Sequence, residues 1–420
     1  MFKEVLKRCH KYVKTIDLNT TIRDAKDDEL GLYHSLPSLS IHDICQLCPN
    51  LRCLYLNEIQ IHPSRKLAST RKRKYKHTSG SSRICSTITS QMIQALIQHS
   101  ENFTHFSLNL QRHDYSSDCI SNLITRMKNL KMLHLNSGSK LPGEILMGLS
   151  FETIEEIFLE ECKTFWTLEN ADLLNTVLQR CTNLDTFVLN DSIQGANVDL
   201  CRLKHLKNLG LIKKMRDSNQ LRCVLQLHNL QRLNVQANNS VDDQFLKQIF
   251  KNCRQLVYLN ISRCFHLSDG GMTDIGKLTK LEYLIMSYTK LSSRYLRGVS
   301  VNLKVLDCSN CKRVSDYGLH ALIQRTVHLK MLILQMCPKV TGLLVRAINH
   351  NIQLRDTKNE NYPLLIISNE GTMLDDWRIS HRVKIVKKIV RKFTYGTDFK
   401  DVYFHTENDY LPISYDSVID

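Results

Sequence analysis

Leu256-Val-Tyr-Leu259-Asn-Ile261, Leu281-Glu-Tyr-Leu284-Ile-Met286, Leu303-Lys-Val-Leu306-Asp-Cys308 and Leu329-Lys-Met-Leu332-Ile-Leu334 are four versions of one phrase. Their first leucines are 25, 22 and 26 residues apart, a spacing at which one short supersecondary unit is repeated and stacked. The last two apolar positions of each phrase flank a single different residue, so they share one face of a short strand. No unit can bury its leucines alone. Each fully buried leucine contributes roughly 1.5–3 kcal/mol, and stacking supplies the burial.

Working outward, the phrase recurs with apolar replacements at Leu230/Leu233/Val235, Leu206/Leu209/Leu211, Leu184/Phe187/Leu189, Ile154/Ile157/Leu159, Leu130/Leu133/Leu135, Phe103/Phe106/Leu108, Leu51/Leu54/Leu56 and Val13/Ile16/Leu18. Helical patterns precede most strands, as at Ile44/Leu47/Cys48, Val177/Leu178/Cys181, Ile249/Phe250/Cys253 and Leu322/Ile323. Ser240 with Asp243, Ser268-Asp269 and Ser315-Asp316 are helix-start signals, because their side chains can accept from free first-turn amides. Parallel strands need a crossover, and the helix supplies it. The expected fold is therefore α/β: a leucine-rich-repeat solenoid, a horseshoe with a parallel concave sheet, one strand and one outer helix per repeat, and about 12–13 repeats. Repeats are expected over 1–62 and 91–356, with a basic disordered insertion over 63–90 and a capping segment over 357–420.

The chain has 420 residues, 42% of them hydrophobic, enough for a sizeable core. No apolar run approaches the roughly 18 residues that span a bilayer, and Met1-Phe-Lys-Glu-Val-Leu-Lys-Arg-Cys-His10 is too charged for a secretory leader. An intracellular protein, cytoplasmic or nuclear and not bound to membrane, is the expectation. Fifteen cysteines, an odd number recurring at fixed repeat positions, read as reduced and mostly buried thiols.

Lysine and arginine exceed the acids by 57 − 41 = 16. Part of that excess is local: Arg65, Lys66, Arg71, Lys72, Arg73, Lys74, Lys76 and Arg83 share one acid-free segment. It reads as a solvated insertion, with Arg71, Lys72, Arg73, Lys74 and Lys76 resembling a nuclear-import signal. Towards the C-terminus, Leu364-Leu-Ile-Ile367 is expected as a last strand. Val383, Val386, Ile389, Val390 and Phe393 form an apolar stripe opposite Lys384, Lys387, Lys388, Arg391 and Lys392, which predicts a helix closing the array.

Two Cys-x-x-Cys pairs, Cys45/Cys48 and Cys308/Cys311, have the spacing of zinc ligands. Repeat register assigns them otherwise: Cys308 takes the third leucine position and Cys48 the end of a repeat helix. No metal site and no cofactor is expected. Histidines and cysteines are many, yet none sits in a nucleophile motif or a glycine-rich phosphate loop, so no catalytic residue is assigned and the chain is not expected to be an enzyme.

Three positions beyond the last strand leucine stand Cys162, Asn238, Cys264, Thr289, Cys311 and Cys337. Leu256 through Cys264-Phe-His-Leu-Ser268-Asp-Gly-Gly271 and Leu303 through Cys311-Lys-Arg-Val-Ser315-Asp-Tyr-Gly318 resemble the cysteine-containing repeats of F-box/LRR proteins, closely over 250–340 and more loosely over 90–250. That resemblance implies substrate recognition in an SCF-type ubiquitin ligase, where an F-box docks the adaptor that bridges to cullin. No F-box is found, since the first repeat begins by Val13. A shortened member of that family and a stand-alone binding or inhibitor scaffold, similar to antagonist-of-mitotic-exit proteins, both remain open; a basic nucleic-acid-associated protein is a third reading.

Residues flanking the second and third leucines should point onto the concave sheet. Tyr258, Asn260, Tyr283, Ile285, Asp307, Met331 and Ile333 are the expected partner-binding residues, with Tyr258, Tyr283, Ile285, Met331 and Ile333 forming an exposed apolar and aromatic patch for a protein partner. Few basic residues fall on these positions, so a nucleic-acid platform is not expected there.

Overall fold

The computed structural model describes residues 8, 11–17, 45–56, 90–109, 117–136, 141–162, 168–190, 198–213, 218–351, 364–368, 383–386, 389–391, 404 and 410–412. The proposed import signal at Arg71, Lys72, Arg73, Lys74 and Lys76 lies outside these residues. The chain forms two compact units, Met1–Ile154 and Glu155–Asp420.

In the first unit, four parallel strands pair in sequence order: β1 (Thr15–Asp17), β2 (Cys53–Leu56), β3 (His105–Asn109) and β4 (Met132–Asn136). Ile16, Leu54, Phe106 and Leu133 share one register row, and all four are buried. Helices α1 (Ser90–Ile97) and α2 (Ser117–Arg126) precede β3 and β4.

The second unit continues the same construction through β5 (Glu156–Glu160), β6 (Thr186–Asn190), β7 (Asn208–Ile212), β8 (Arg232–Asn234), β9 (Tyr258–Asn260), β10 (Tyr283–Ile285), β11 (Val305–Asp307), β12 (Met331–Ile333), β13 (Leu364–Ile367) and β14 (Val383–Val386). All pair in parallel with their sequence neighbours. The second consensus residues align as Ile157, Phe187, Leu209, Leu233, Leu259, Leu284, Leu306 and Leu332, followed by Ile366, and each is buried. The fold is a leucine-rich-repeat solenoid, as the spacing of the leucines predicts.

The crossovers are less uniform than one α-helix per repeat. Helices α3 (Leu168–Arg180), α4 (Ser218–Val224), α5 (Asp243–Asn252), α6 (Asp316–Arg325) and α7 (Gly342–Asn351) serve some repeats. Short 3-10 turns at Gly143–Gly148, Leu200–Arg202, Asp269–Met272, Ile275–Lys277 and Ser293–Gly298 serve others. The repeat leading to Leu303 is only 22 residues long, and a tight 3-10 turn rises faster per residue than an α-helix.

Two other expectations change. The helix start near 240 is set by Asp242, whose Oδ1 accepts from Phe245 N at 2.8 Å, and not by Ser240. The closing helix from Val383 is replaced by strands: β14 extends the sheet, and β15 (Ile389–Arg391) pairs antiparallel with β16 (Tyr410–Pro412). Val383-Lys384-Ile385-Val386 alternates as a strand does, and valine and isoleucine favour the pleated form.

Candidate functional site

The repeat motif itself has a structural explanation. After β5 and after each of β7–β12 the chain turns through a left-handed residue: Glu161, Lys213, Ala237, Arg263, Tyr288, Asn310 and Met336 have φ between 48° and 75°. Such a conformation costs a side-chain-bearing residue about 1–2 kcal/mol. It turns the amide towards the next repeat: Ala237 N donates to Ser262 O (2.8 Å), Arg263 N to Ser287 O (2.9 Å), Tyr288 N to Ser309 O (2.8 Å) and Asn310 N to Gln335 O (2.6 Å).

The residue after four of these turns reaches back to the preceding repeat. Cys264 Sγ donates to Val235 O (3.1 Å), Cys311 Sγ to Met286 O (3.1 Å) and Cys337 Sγ to Cys308 O (3.0 Å), while Asn238 Nδ2 donates to Leu211 O (3.4 Å). These thiols are stitches between repeats. Burial pushes the Cys264 thiol up to about 12 and that of Cys311 to about 11, which keeps the donor proton in place. Cys308 lies in the core as its register predicts, and Cys45 and Cys48 are both buried.

The Ser-Asp-x-Gly continuation forms a second ladder. Ser268 N donates to Asp243 Oδ1 (2.8 Å) and its hydroxyl to Asp243 Oδ2; Ser292 N and Oγ donate to Asp269 (2.7 and 2.9 Å); Thr341 N and Oγ1 donate to Asp316 (2.8 and 2.6 Å). Meanwhile Ser268 Oγ accepts from Gly270 N at 3.2 Å, capping its own turn. Glycine follows because the neighbouring repeat sits too close for a side chain: a Cβ at Gly271 would stand 2.7 Å from Asp243 Oδ1.

One sulfur pair departs from the reduced-thiol expectation. Cys201, in the 3-10 turn at Leu200–Arg202, is bonded to Cys223 of α4, 22 residues on. In-register repeats bring their Cα atoms to 4.5 Å, which suits a disulfide. Asp199 lies with these two sulfurs, and among the described residues this is the group of metal-ligand type. Its carboxylate already accepts from Cys201 N (3.2 Å) and Arg202 Nε (2.9 Å), and bonded sulfurs lack the thiolate charge that a metal takes.

The expected binding residues are brought together but are not exposed. Pairing places Tyr258, Tyr283, Val305 and Met331 in one row across β9–β12, and Asn260, Ile285, Asp307 and Ile333 in the next. All are buried except Tyr283, which is half-buried. Two causes are visible. Asn260 and Asp307 are used locally: Oδ1 of each accepts from the amide two residues on, Ser262 N (3.0 Å) and Ser309 N (2.9 Å), while the Ser287 hydroxyl donates to Ser262 Oγ at 3.0 Å. Tyr258 also meets a side chain from beyond the matched repeats. Phe404, fully buried, meets the ring of Tyr258 edge-on at 5.6 Å between centroids and 85° between planes, and the Tyr283 ring lies 6.1 Å from that of Tyr258. Nothing in the repeat pattern points to Phe404, which lies 70 residues beyond the last matched leucine, Leu334. At the end of the same strands, the Arg263 guanidinium sits 4.7 Å over the exposed Tyr288 ring.

No protein-family model matches the chain. Among curated proteins it is similar to the BTB/POZ domain-containing protein FBL11 of Arabidopsis thaliana, 30% identical over 159 residues, which are 34% of this chain and 17% of that protein. The chain thus spans about a sixth of the length of that relative. Among solved structures it is similar to one of the Rad7 and Elc1 complex in yeast, with TM-score 0.50 and 17% identity, covering 72% of this chain and 84% of the other. An internalin of Listeria monocytogenes aligns with TM-score 0.41 and 17% identity, over 72% of this chain and 79% of its own. At 17% identity the Rad7 and Elc1 structure speaks for the fold alone. Among the described residues, no helix is long and apolar enough to cross a membrane.

Proposed function

We propose that the chain is a protein-binding leucine-rich-repeat scaffold that holds a partner polypeptide against the sheet face opposite the leucine core and performs no catalytic step of its own. The observation that carries this reading is the in-register row Tyr258, Tyr283, Val305 and Met331, flanked by Ile285 and Ile333. The strip lies on the sheet face away from the leucine core, Phe404 stands against it at Tyr258, and the half-buried Tyr283 is the point at which a polypeptide partner would engage it.

The finer reading is that the partner is a substrate for an SCF-type ubiquitin ligase, in the cytoplasm or nucleus. It is supported by the Cys264 and Cys311 repeats with their Ser-Asp-x-Gly continuations, which resemble those of F-box/LRR proteins. The fold neighbour in complex with Elc1 shows that this architecture occurs in a protein that assembles with another. Adaptor and cullin would join through an F-box outside these repeats.

Affinity capture with the full chain tests both levels. Tyr283→Arg, on the proposed face, is expected to reduce recovery of a stoichiometric protein partner at least tenfold relative to Tyr317→Arg, on the exposed surface of α6 (Tyr317 is 81% exposed). Co-recovery of cullin and its adaptor supports the ligase reading; a single stoichiometric partner without them supports a stand-alone scaffold. Salt-sensitive nucleic acid in place of protein, or equal recovery by both variants, would overturn the proposed face.

A further inference from the structure

Phe404 is out of place for a solenoid. The array's sheet runs on from β9 through β14, five strand spacings of about 4.8 Å each, or about 24 Å. Beyond β14 and β15 in the sequence, Phe404 stands against Tyr258 of β9. Phe404 lies between the two strands of the antiparallel pair β15 and β16, so it belongs neither to a repeat nor to the row it covers. Its ring is fully buried in an edge-to-face contact, an arrangement that contributes about 0.5–1.5 kcal/mol beyond area alone. The sequence around it, Asp398-Phe-Lys-Asp-Val-Tyr-Phe404-His-Thr-Glu-Asn-Asp409, is rich in aromatic and acidic residues and carries no leucine phrase. It reads as a ligand rather than as a repeat.

We propose that the Tyr258–Tyr283 row is a seat for an aromatic side chain presented by a polypeptide, and that Phe404 fills it in cis as an exchangeable occupant. The inference rests on the partner-binding reading above and narrows it. The partner presents a phenylalanine or a comparable ring to Tyr258, and it binds only by displacing Phe404. A tethered occupant acts at an effective concentration that reaches the millimolar range for short linkers, so an external peptide binds in proportion to the small open fraction. Removing Phe404 removes that handicap without touching the seat.

A fluorescent peptide of residues 396–412, titrated into the full chain, tests this directly. Phe404→Ser in the full chain is expected to bind it at least tenfold more tightly than wild type. A peptide whose own Phe404 is serine is expected to bind neither chain, and Tyr283→Ala added to Phe404→Ser is expected to weaken the gain. Equal binding to wild type and Phe404→Ser, or binding indifferent to the ring on the peptide, would overturn the proposal. So would loss of cooperative unfolding in Phe404→Ser, because an exchangeable occupant leaves the repeats folded. Any of these failures leaves the partner-binding reading itself standing on the capture experiment.

Discussion

Gly318 stands where two repeats come closest. A Cβ there would collide with Ser293 Cβ and its carbonyl oxygen, whereas at Gly298 the nearest atom to such a Cβ is Ile275 Cγ2, at 4.0 Å. Gly318→Ala should therefore destabilise the chain by about 1–3 kcal/mol, the usual cost of overpacking, while Gly298→Ala stays near wild type in a denaturant titration; equal effects would sink the close-approach account. The buried thiols make a pH prediction. Burial pushes the thiols of Cys253 and Cys264 up to about 12, above the ordinary thiol value of 9.0 that the unfolded chain keeps. Below about pH 9 both states are protonated and the thiols' contribution is complete; as pH rises towards 12 the unfolded chain ionises first and stability falls. The slope between pH 9 and 11 should be shallower in Cys264→Ala, and an unchanged slope would contradict the assignment. At this scale the sequence was partly legible. Register put Cys308 in the core because leucine periodicity is local, but the bonds of Cys264 and Cys311 go to carbonyls 29 and 25 residues away, which no local pattern displays.

Strands were the most legible elements, because a period of two with apolar residues at fixed spacing survives substitution by isoleucine, phenylalanine or cysteine. Crossovers were less so: repeats of 22 and 26 residues differ by about one helical turn, and the longer carries α6 where the shorter has the 3-10 turn at Ser293–Gly298. Helix and strand compete over β14 and β15, where Val383, Val386, Ile389 and Val390 satisfy a helical stripe as well as two strands, and pairing of β14 with β13 and of β15 with β16 decides between them. The disulfide between the turn at Leu200–Arg202 and α4 belongs to this scale also. It closes a 22-residue separation, worth about 3 kcal/mol through loss of unfolded-chain freedom. Reductant should lower the melting temperature of wild type by several degrees and leave Cys201→Ser/Cys223→Ser unmoved; equal behaviour of the two would remove the disulfide from the account.

For the molecule, the leucine core follows from the sequence and the open sheet face does not. The rows containing Tyr258, Tyr283, Ile285, Met331 and Ile333 were legible from period and register, but their burial was not. Exposure on a sheet face depends on what else covers it, and Phe404 lies far along the chain from every residue in the row. The two ladders, thiol and Ser-Asp, join repeats between Val235 and Thr341 to their neighbours and leave this face as the place where the composition is aromatic without a core to justify it. Site-specific photo-crosslinking from the full chain tests that claim most directly, with the photoreactive residue at 283 on the row or at 317 on α6. The account predicts a discrete protein adduct from position 283, stronger when Phe404 is serine, and none from 317. Adducts of equal yield from both positions, or from 317 alone, would contradict it.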